Sequence, residues 1–186
     1  MPGMIRLFAA LPVPFDIAEG LVRRQQGLPR ARWRPTEALH ITLRFFGEVS
    51  EPTAADLDSA LAGVTVPPFD LNLENVGMFG EGDHMRAVWA GVAENEPLKR
   101  LALKCENAAR RVGLKPEART YRPHVTLAYL QGSPPDRIAA WLQGHNLLKS
   151  PPWRATEFHL YSSWLDSNRT LSSCGSYEIE RTYPLH

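Results

Sequence analysis

Residues 5–11, IRLFAAL, form an apolar run that Pro12 and Pro14 stop, which predicts a first strand. From Phe15 to Gln26 the apolar positions Phe15, Ile17, Ala18, Leu21 and Val22 fall close to helical spacing, and Gly27 ends the helix. The stretch LHITLRFFGE, residues 39–48, alternates instead: Ile41, Leu43 and Phe45 against His40, Thr42 and Arg44. That period of two predicts a strand with unlike faces. Glu51 to Val64 reads as a second helix, with Pro52 in its first turn and Ala55, Leu57, Leu61 and Ala62 on its apolar side. Phe69 to Val76 alternates as a strand, and Arg86 to Val92 is another, reached through GMFGEGD. Pro97 to Val112 predicts a third helix stopped by Gly113. PHVTLAYL, residues 123–130, then repeats the pattern of the earlier strand. Pro135 to Gln143 reads as a fourth helix, and Phe158 to Trp164 and Ser176 to Tyr183 as closing strands.

Strands and helices mix in this order without strict alternation. An α+β fold follows, with outer helices against antiparallel-rich sheet. The recurrence of strand, helix and His-x-Thr strand predicts two pseudo-symmetric halves around a central cleft. With no linker or low-complexity stretch between them, residues 1–186 are expected to form a single bilobal domain.

Composition narrows the class. Of 186 residues, 44% are hydrophobic and 22% charged, as in globular proteins with a sizeable core. Lys and Arg number 21 against 20 Asp and Glu, which excludes the strongly basic surface of a non-specific duplex binder but allows a local cationic cleft. Cys105 and Cys174 stand far apart, at no metal-binding or redox-motif spacing, and read as packing residues of a reducing compartment. The opening segment has neither the length of a membrane span nor a signal-peptide pattern. A cytoplasmic monomer is the expectation.

The chemistry lies in the repeat. His40-Ile41-Thr42-Leu43 and His124-Val125-Thr126-Leu127 are one motif written twice. Alternation puts His40, Thr42 and Arg44 on one face, and His124 with Thr126 on the corresponding face of the second strand. Leu127 and Tyr129 are expected on the opposite side. Two imidazoles across one cleft can divide proton transfer at a phosphorus centre, one accepting from water while the other donates to the leaving oxygen. Thr42 and Thr126 supply hydroxyls for phosphate oxygens. No metal or cofactor is required by this set. Arg44 and Arg122 are candidates for added positive charge, Arg122 because Pro123 holds it extended two residues before His124. The run RRQQGLPRARWR reads first as a helix end and loop, yet Trp33 within it offers a stacking plane for a base. His84, His145, His159 and His186 lack such companions and are read as structural or solvent-facing.

The motifs and their context resemble the 2H phosphoesterases, and among them the LigT-like (ThpR) RNA 2′,3′-cyclic phosphodiesterases. RLFAALPVP, LHITLRFFGEV, AVWAGV, YRPHVTLAYL and EFHLYSSWL carry the resemblance along nearly the whole chain. It implies a bilobal fold and metal-independent opening of RNA or nucleotide 2′,3′-cyclic phosphates to 2′-phosphomonoesters. It also implies His40 as general acid, His124 as general base, and Thr42 and Thr126 as phosphate holders; the motifs themselves do not separate acid from base. Some members are linked to 2′-5′ RNA ligation. The tail SSWLDSNRTLSSCGSYEIERTYPL departs from the family pattern through a polar insertion. Alternative readings are a phosphodiesterase of a small cyclic nucleotide and a non-catalytic nucleotide- or RNA-binding module.

Overall fold

Antiparallel pairing carries both repeated strands to the middle of one sheet. The computed structural model describes residues 3–80, 86–164 and 176–186. Among the described residues the strands are β1 (Met4–Pro12), β2 (Ala31–Trp33), β3 (His40–Ser50), β4 (Phe69–Leu71), β5 (Leu73–Phe79), β6 (Arg86–Val92), β7 (His124–Leu130), β8 (Trp153–Ala155), β9 (Glu157–Trp164) and β10 (Ser176–Pro184). The helices are α1 (Phe15–Val22), α2 (Glu51–Ala62), α3 (Glu96–Arg111) and α4 (Pro135–His145). The main sheet runs β10-β9-β1-β3-β7-β6-β5, with β2 also against β7, while β4 and β8 form a separate ribbon. The two halves of the sheet meet where Ile41 pairs with Val125. β2 prolongs that seam, Ala31 opposite Leu130 and Trp33 opposite Ala128.

One face of the sheet is the core face. Leu7, Ala9, Leu11, Ile41, Leu43, Val88, Val125 and Leu127 are buried there with apolar residues of the helices. α3 turns Leu98, Leu101, Cys105 and Ala109 inward; Asn95 caps it by accepting from the Leu98 N–H at 3.0 Å. Ser50 caps α2 in the same way through Thr53. Cys105 is a buried free thiol, pushed up to about 12 by that burial, and Cys174 lies outside the described residues. No helix among the described residues is long and apolar enough to cross a membrane.

Four elements differ from the sequence expectation. α1 stops at Val22, because the side chain of Gln25 is drawn to the β2–β7 seam, donating to the Arg34 carbonyl at 2.8 Å and the Leu127 carbonyl at 3.3 Å. The expected strand 69–76 is divided at Asn72: the chain leaves β8 there to pair with β6. β2 and β8, three residues each, are too short to leave a period in the sequence.

Candidate active site

Both repeated strands break their alternation at the same residue of the motif. Along β1 and β3 the register runs Pro12–His40, Leu11–Ile41 and Ala10–Thr42, then Ala9–Arg44 and Phe8–Phe45, so Leu43 is an extra residue. Along β6 and β7 it runs Gly91–His124, Ala90–Val125 and Trp89–Thr126, then Val88–Ala128 and Ala87–Tyr129, so Leu127 is extra. A β-bulge reverses which side the following residues face. Phe45 and Tyr129 therefore return to the histidine face, and Arg44 is sent to the helix face. The expectation that Arg44 shares a face with His40 is corrected accordingly. Its guanidinium is paired with Glu106 of α3 and donates to the Lys115 carbonyl at 2.7 Å. Both side chains of the pair are largely buried, Arg44 at 9% and Glu106 at 17% exposure. Burial pushes the Glu106 carboxyl up, but the Arg44 hydrogen bond and the Glu117 N–H together hold it below its ordinary value.

The pairing of Ile41 with Val125 fixes the catalytic candidates. Carried one residue either way along the antiparallel strands, it sets His40 across from Thr126 and Thr42 across from His124. Each imidazole is anchored to the carbonyl two residues upstream. His124 Nδ1 lies 2.7 Å from the Arg122 oxygen, and His40 makes the same kind of bond to Ala38. A carbonyl accepts only, so Nδ1 of His124 carries the proton and Nε2 keeps its lone pair. Neither Thr42 nor Thr126 spends its hydroxyl on another described residue; Tyr121 reaches the Thr42 backbone, donating to its carbonyl at 2.8 Å.

Rings surround both histidines. Phe8 lies 4.9 Å and Tyr161 5.9 Å from His40, with Tyr177 edge-on at 5.5 Å. Phe79 meets His124 at 4.8 Å and Trp89 at 6.0 Å. Desolvation by these neighbours lowers His40 to about 4; the Ala38 bond opposes the shift, and the charges of Arg34 and His124 add to it. Burial likewise lowers His124, against the pull of the Arg122 carbonyl. Both imidazoles are thus neutral at pH 7 in the free protein.

The remaining candidates fall in different places. Arg122 is exposed, and its contact with His124 is through its backbone carbonyl. Trp33 pairs with Ala128 on the helix face and packs on Trp141 of α4 at 5.9 Å, so alternation along β2 turns it away from the cleft. His145 lies against the Trp141 ring, and His186 bonds the Pro184 carbonyl. His159 is buried on β9, its Nδ1 2.9 Å from the Thr182 hydroxyl. His84 lies outside the described residues, as does the tail from 165 to 175. Arg34, Tyr161, Tyr177, Phe8, Phe79 and Trp89 escaped the sequence reading. The signal for Arg34 was its parity with Arg32 and against Trp33. For the aromatics no local signal exists, since only strand order puts β1, β9 and β10 on the β3 side of the sheet and β5 and β6 on the β7 side.

Comparison with known proteins gives the family and the fold. The family model of the 2′-5′ RNA ligase superfamily matches residues 13–165. An RNA 2′,3′-cyclic phosphodiesterase of Aeropyrum pernix is 41% identical over 98 residues, covering 52% of this chain. The chain spans 56% of that relative's length. A protein of the same name from Escherichia coli K12 is 31% identical over 169 residues, covering 89% of this chain and 90% of the relative. Among solved structures, E. coli LigT in apo form superposes with a TM-score of 0.78 at 26% identity, covering 98% of each chain.

Proposed function

The chain belongs to the 2′-5′ RNA ligase superfamily, and from that premise we propose that it hydrolyses RNA 2′,3′-cyclic phosphate ends to 2′-phosphomonoesters. The observation that carries the reading is the pair of carbonyl-anchored histidines set diagonally across the β3–β7 seam, each beside a threonine hydroxyl unclaimed by the described residues. The E. coli and Aeropyrum relatives named RNA 2′,3′-cyclic phosphodiesterase support the substrate class.

In this scheme Nε2 of His124 takes a proton from water as the water oxygen bonds to phosphorus. The bond from phosphorus to O3′ breaks, and protonated His40 delivers its proton to that oxygen. The products are a 2′-phosphomonoester and a free 3′-hydroxyl. Thr42 and Thr126 donate to the non-bridging oxygens, which gain charge as the five-coordinate state forms. Neutral resting histidines suit this division once the bound phosphate anion has raised His40. A 5′-hydroxyl in place of water gives a 2′-5′ linkage by the same proton transfers. No metal or cofactor takes part. The protein acts in the cytoplasm as a monomer, its two halves working as one unit.

The test is incubation of the protein with a 2′,3′-cyclic nucleotide, and with an oligonucleotide ending in one, in excess chelator. The expected product is the 2′-phosphate, reduced on the order of 10²-fold or more in His40→Ala and in His124→Ala. Binding without turnover of either substrate from about pH 5 to 9 would replace the enzyme with a nucleotide-binding module.

A further inference from the structure

Each lobe places one imidazole and one hydroxyl at the cleft, but the two arginines singled out by sequence do not bring a cation to its floor. Arg44 is neutralised by Glu106 on the far side of the sheet, and the Arg122 side chain is exposed at the rim. We propose that Arg34 fills this role, as the residue that binds the non-bridging oxygens of the reacting phosphate on the His40 side. The inference rests on the phosphodiesterase reading for its substrate, though not for its anion.

Position comes first. The Arg34 N–H donates to the Leu127 carbonyl at 2.8 Å, continuing the β2–β7 ladder by one residue. His40 stands across from Thr126 on the same edge of β7. The turn through residues 35–39 therefore delivers Arg34 and His40 to adjacent places along one strand. Since Trp33 faces the helices, Arg34 faces the cleft. Tyr177 touches both: its ring is edge-on to His40 at 5.5 Å, and its hydroxyl accepts from Arg34 Nη2 at 2.8 Å.

The surroundings of the guanidinium suit an anion. Arg34 is 6% exposed, yet no carboxylate pairs with it among the described residues. Holding an uncompensated guanidinium out of water is costly. The rings of Tyr129 and Tyr177 lie 5.4 and 5.3 Å from its central carbon and offset part of that cost. The Tyr177 hydroxyl takes one N–H of the guanidinium, and a guanidinium has five. The others are of the kind that pair with phosphate oxygens. Arg34 also acts electrostatically on His40, which places its charge within reach of the same centre. Tyr129 reaches the cleft because of the bulge at Leu127.

The experiment compares wild type with Arg34→Met, Arg34→Gln and Arg34→Lys. Inorganic phosphate is titrated by NMR of the histidine ring protons, and kcat and KM are measured on a 2′,3′-cyclic nucleotide. Arg34→Met should weaken phosphate at least about tenfold and lower kcat/KM by about 10²-fold, with kcat carrying much of the loss. Arg34→Lys, which keeps the charge without the fork, should recover part of both. Should Arg34→Met fail to fold, Arg34→Gln removes the charge while retaining a donor for Tyr177. Wild-type phosphate affinity and kcat/KM in a folded, neutralised variant would overturn the proposal. Absence of turnover in the wild type would sink the phosphodiesterase reading instead, because the phosphate titration reads Arg34 without catalysis.

Discussion

The pH dependence of the reaction should differ between free and substrate-bound protein, by an amount the cleft sets. In the proposed reaction the productive form carries one proton shared over two imidazoles. In the free protein His40 titrates near 4 and His124 below its ordinary value, both through burial. The profile of kcat/KM, which follows the free protein, should therefore peak below about pH 6.5 and fall about tenfold per pH unit beyond its upper limb. To donate at pH 7, His40 must rise by about three pH units on substrate binding, or about 4 kcal/mol at 1.36 kcal/mol per unit. One phosphate charge about 4 Å away, at an effective dielectric constant of about 20, supplies about 4 kcal/mol. The kcat profile, which follows the complex, should consequently have its alkaline limb at neutral pH or above. Initial rates from about pH 4 to 9 on a cyclic nucleotide give both profiles, and NMR titration of His40 with and without inorganic phosphate gives the shift directly. Superimposable profiles, or a free His40 that titrates near 6.5, would refute the argument.

Glu106→Ala leaves the Arg44 guanidinium unpaired. A fully buried pair costs about 3–5 kcal/mol to break, and the partial exposure here reduces that to about 2 kcal/mol, read as a lower Tm with turnover of the folded protein unchanged. Lost activity at full stability would return Arg44 to the site. Gly77→Ala places a methyl group in the Trp89 ring; the overlap should cost about 1–3 kcal/mol and, by moving Trp89 against His124, lower kcat. Unaltered stability would mean that Trp89 does not rest on Gly77. Trp33→Leu should cost about 2–3 kcal/mol through the contact with Trp141 while leaving the ratio of oligonucleotide to mononucleotide turnover as in wild type. A loss confined to the oligonucleotide would restore Trp33 as a base-stacking residue.

The strands that carry the motifs were legible because their apolar partners, Ile41 with Leu43 and Val125 with Leu127, are buried as the alternation demands. So were α2 and α3, whose starts carry Ser50 and Asn95 at the capping positions. What alternation could not convey was its own interruption. Leu43 and Leu127 look like ordinary core residues in sequence, and their status as bulges depends on which strand lies alongside. That one step misplaced Arg44, Phe45 and Tyr129. Arg34 was illegible for a related reason: three residues of β2 are too few to declare a strand, and a strand is what gives Arg34 and Trp33 opposite directions.

Ile41 against Val125 also marks the line about which one motif maps onto the other. A phosphate centred on that line meets an imidazole and a hydroxyl whichever way round it lies, so the motifs by themselves give the reaction no polarity. Attack from either side would be degenerate. The degeneracy is lifted by side chains that the repeat does not copy. Phe8 and Tyr161 are tilted from His40 by 31° and 28° with Tyr177 edge-on at 80°, whereas His124 has only Phe79 at 81° and Trp89 at 51° among the described residues. Arg34 touches Tyr177 and acts on His40, and the repeat supplies no copy of it beside His124. In the proposed reaction the two sets of residues would have separate tasks: the duplicated ones would provide for proton transfer, and the unmatched ones would set the two sides of the cleft apart. A protein built from two identical halves would bind such an ester in both orientations with equal free energy, each histidine serving as acid in one of them.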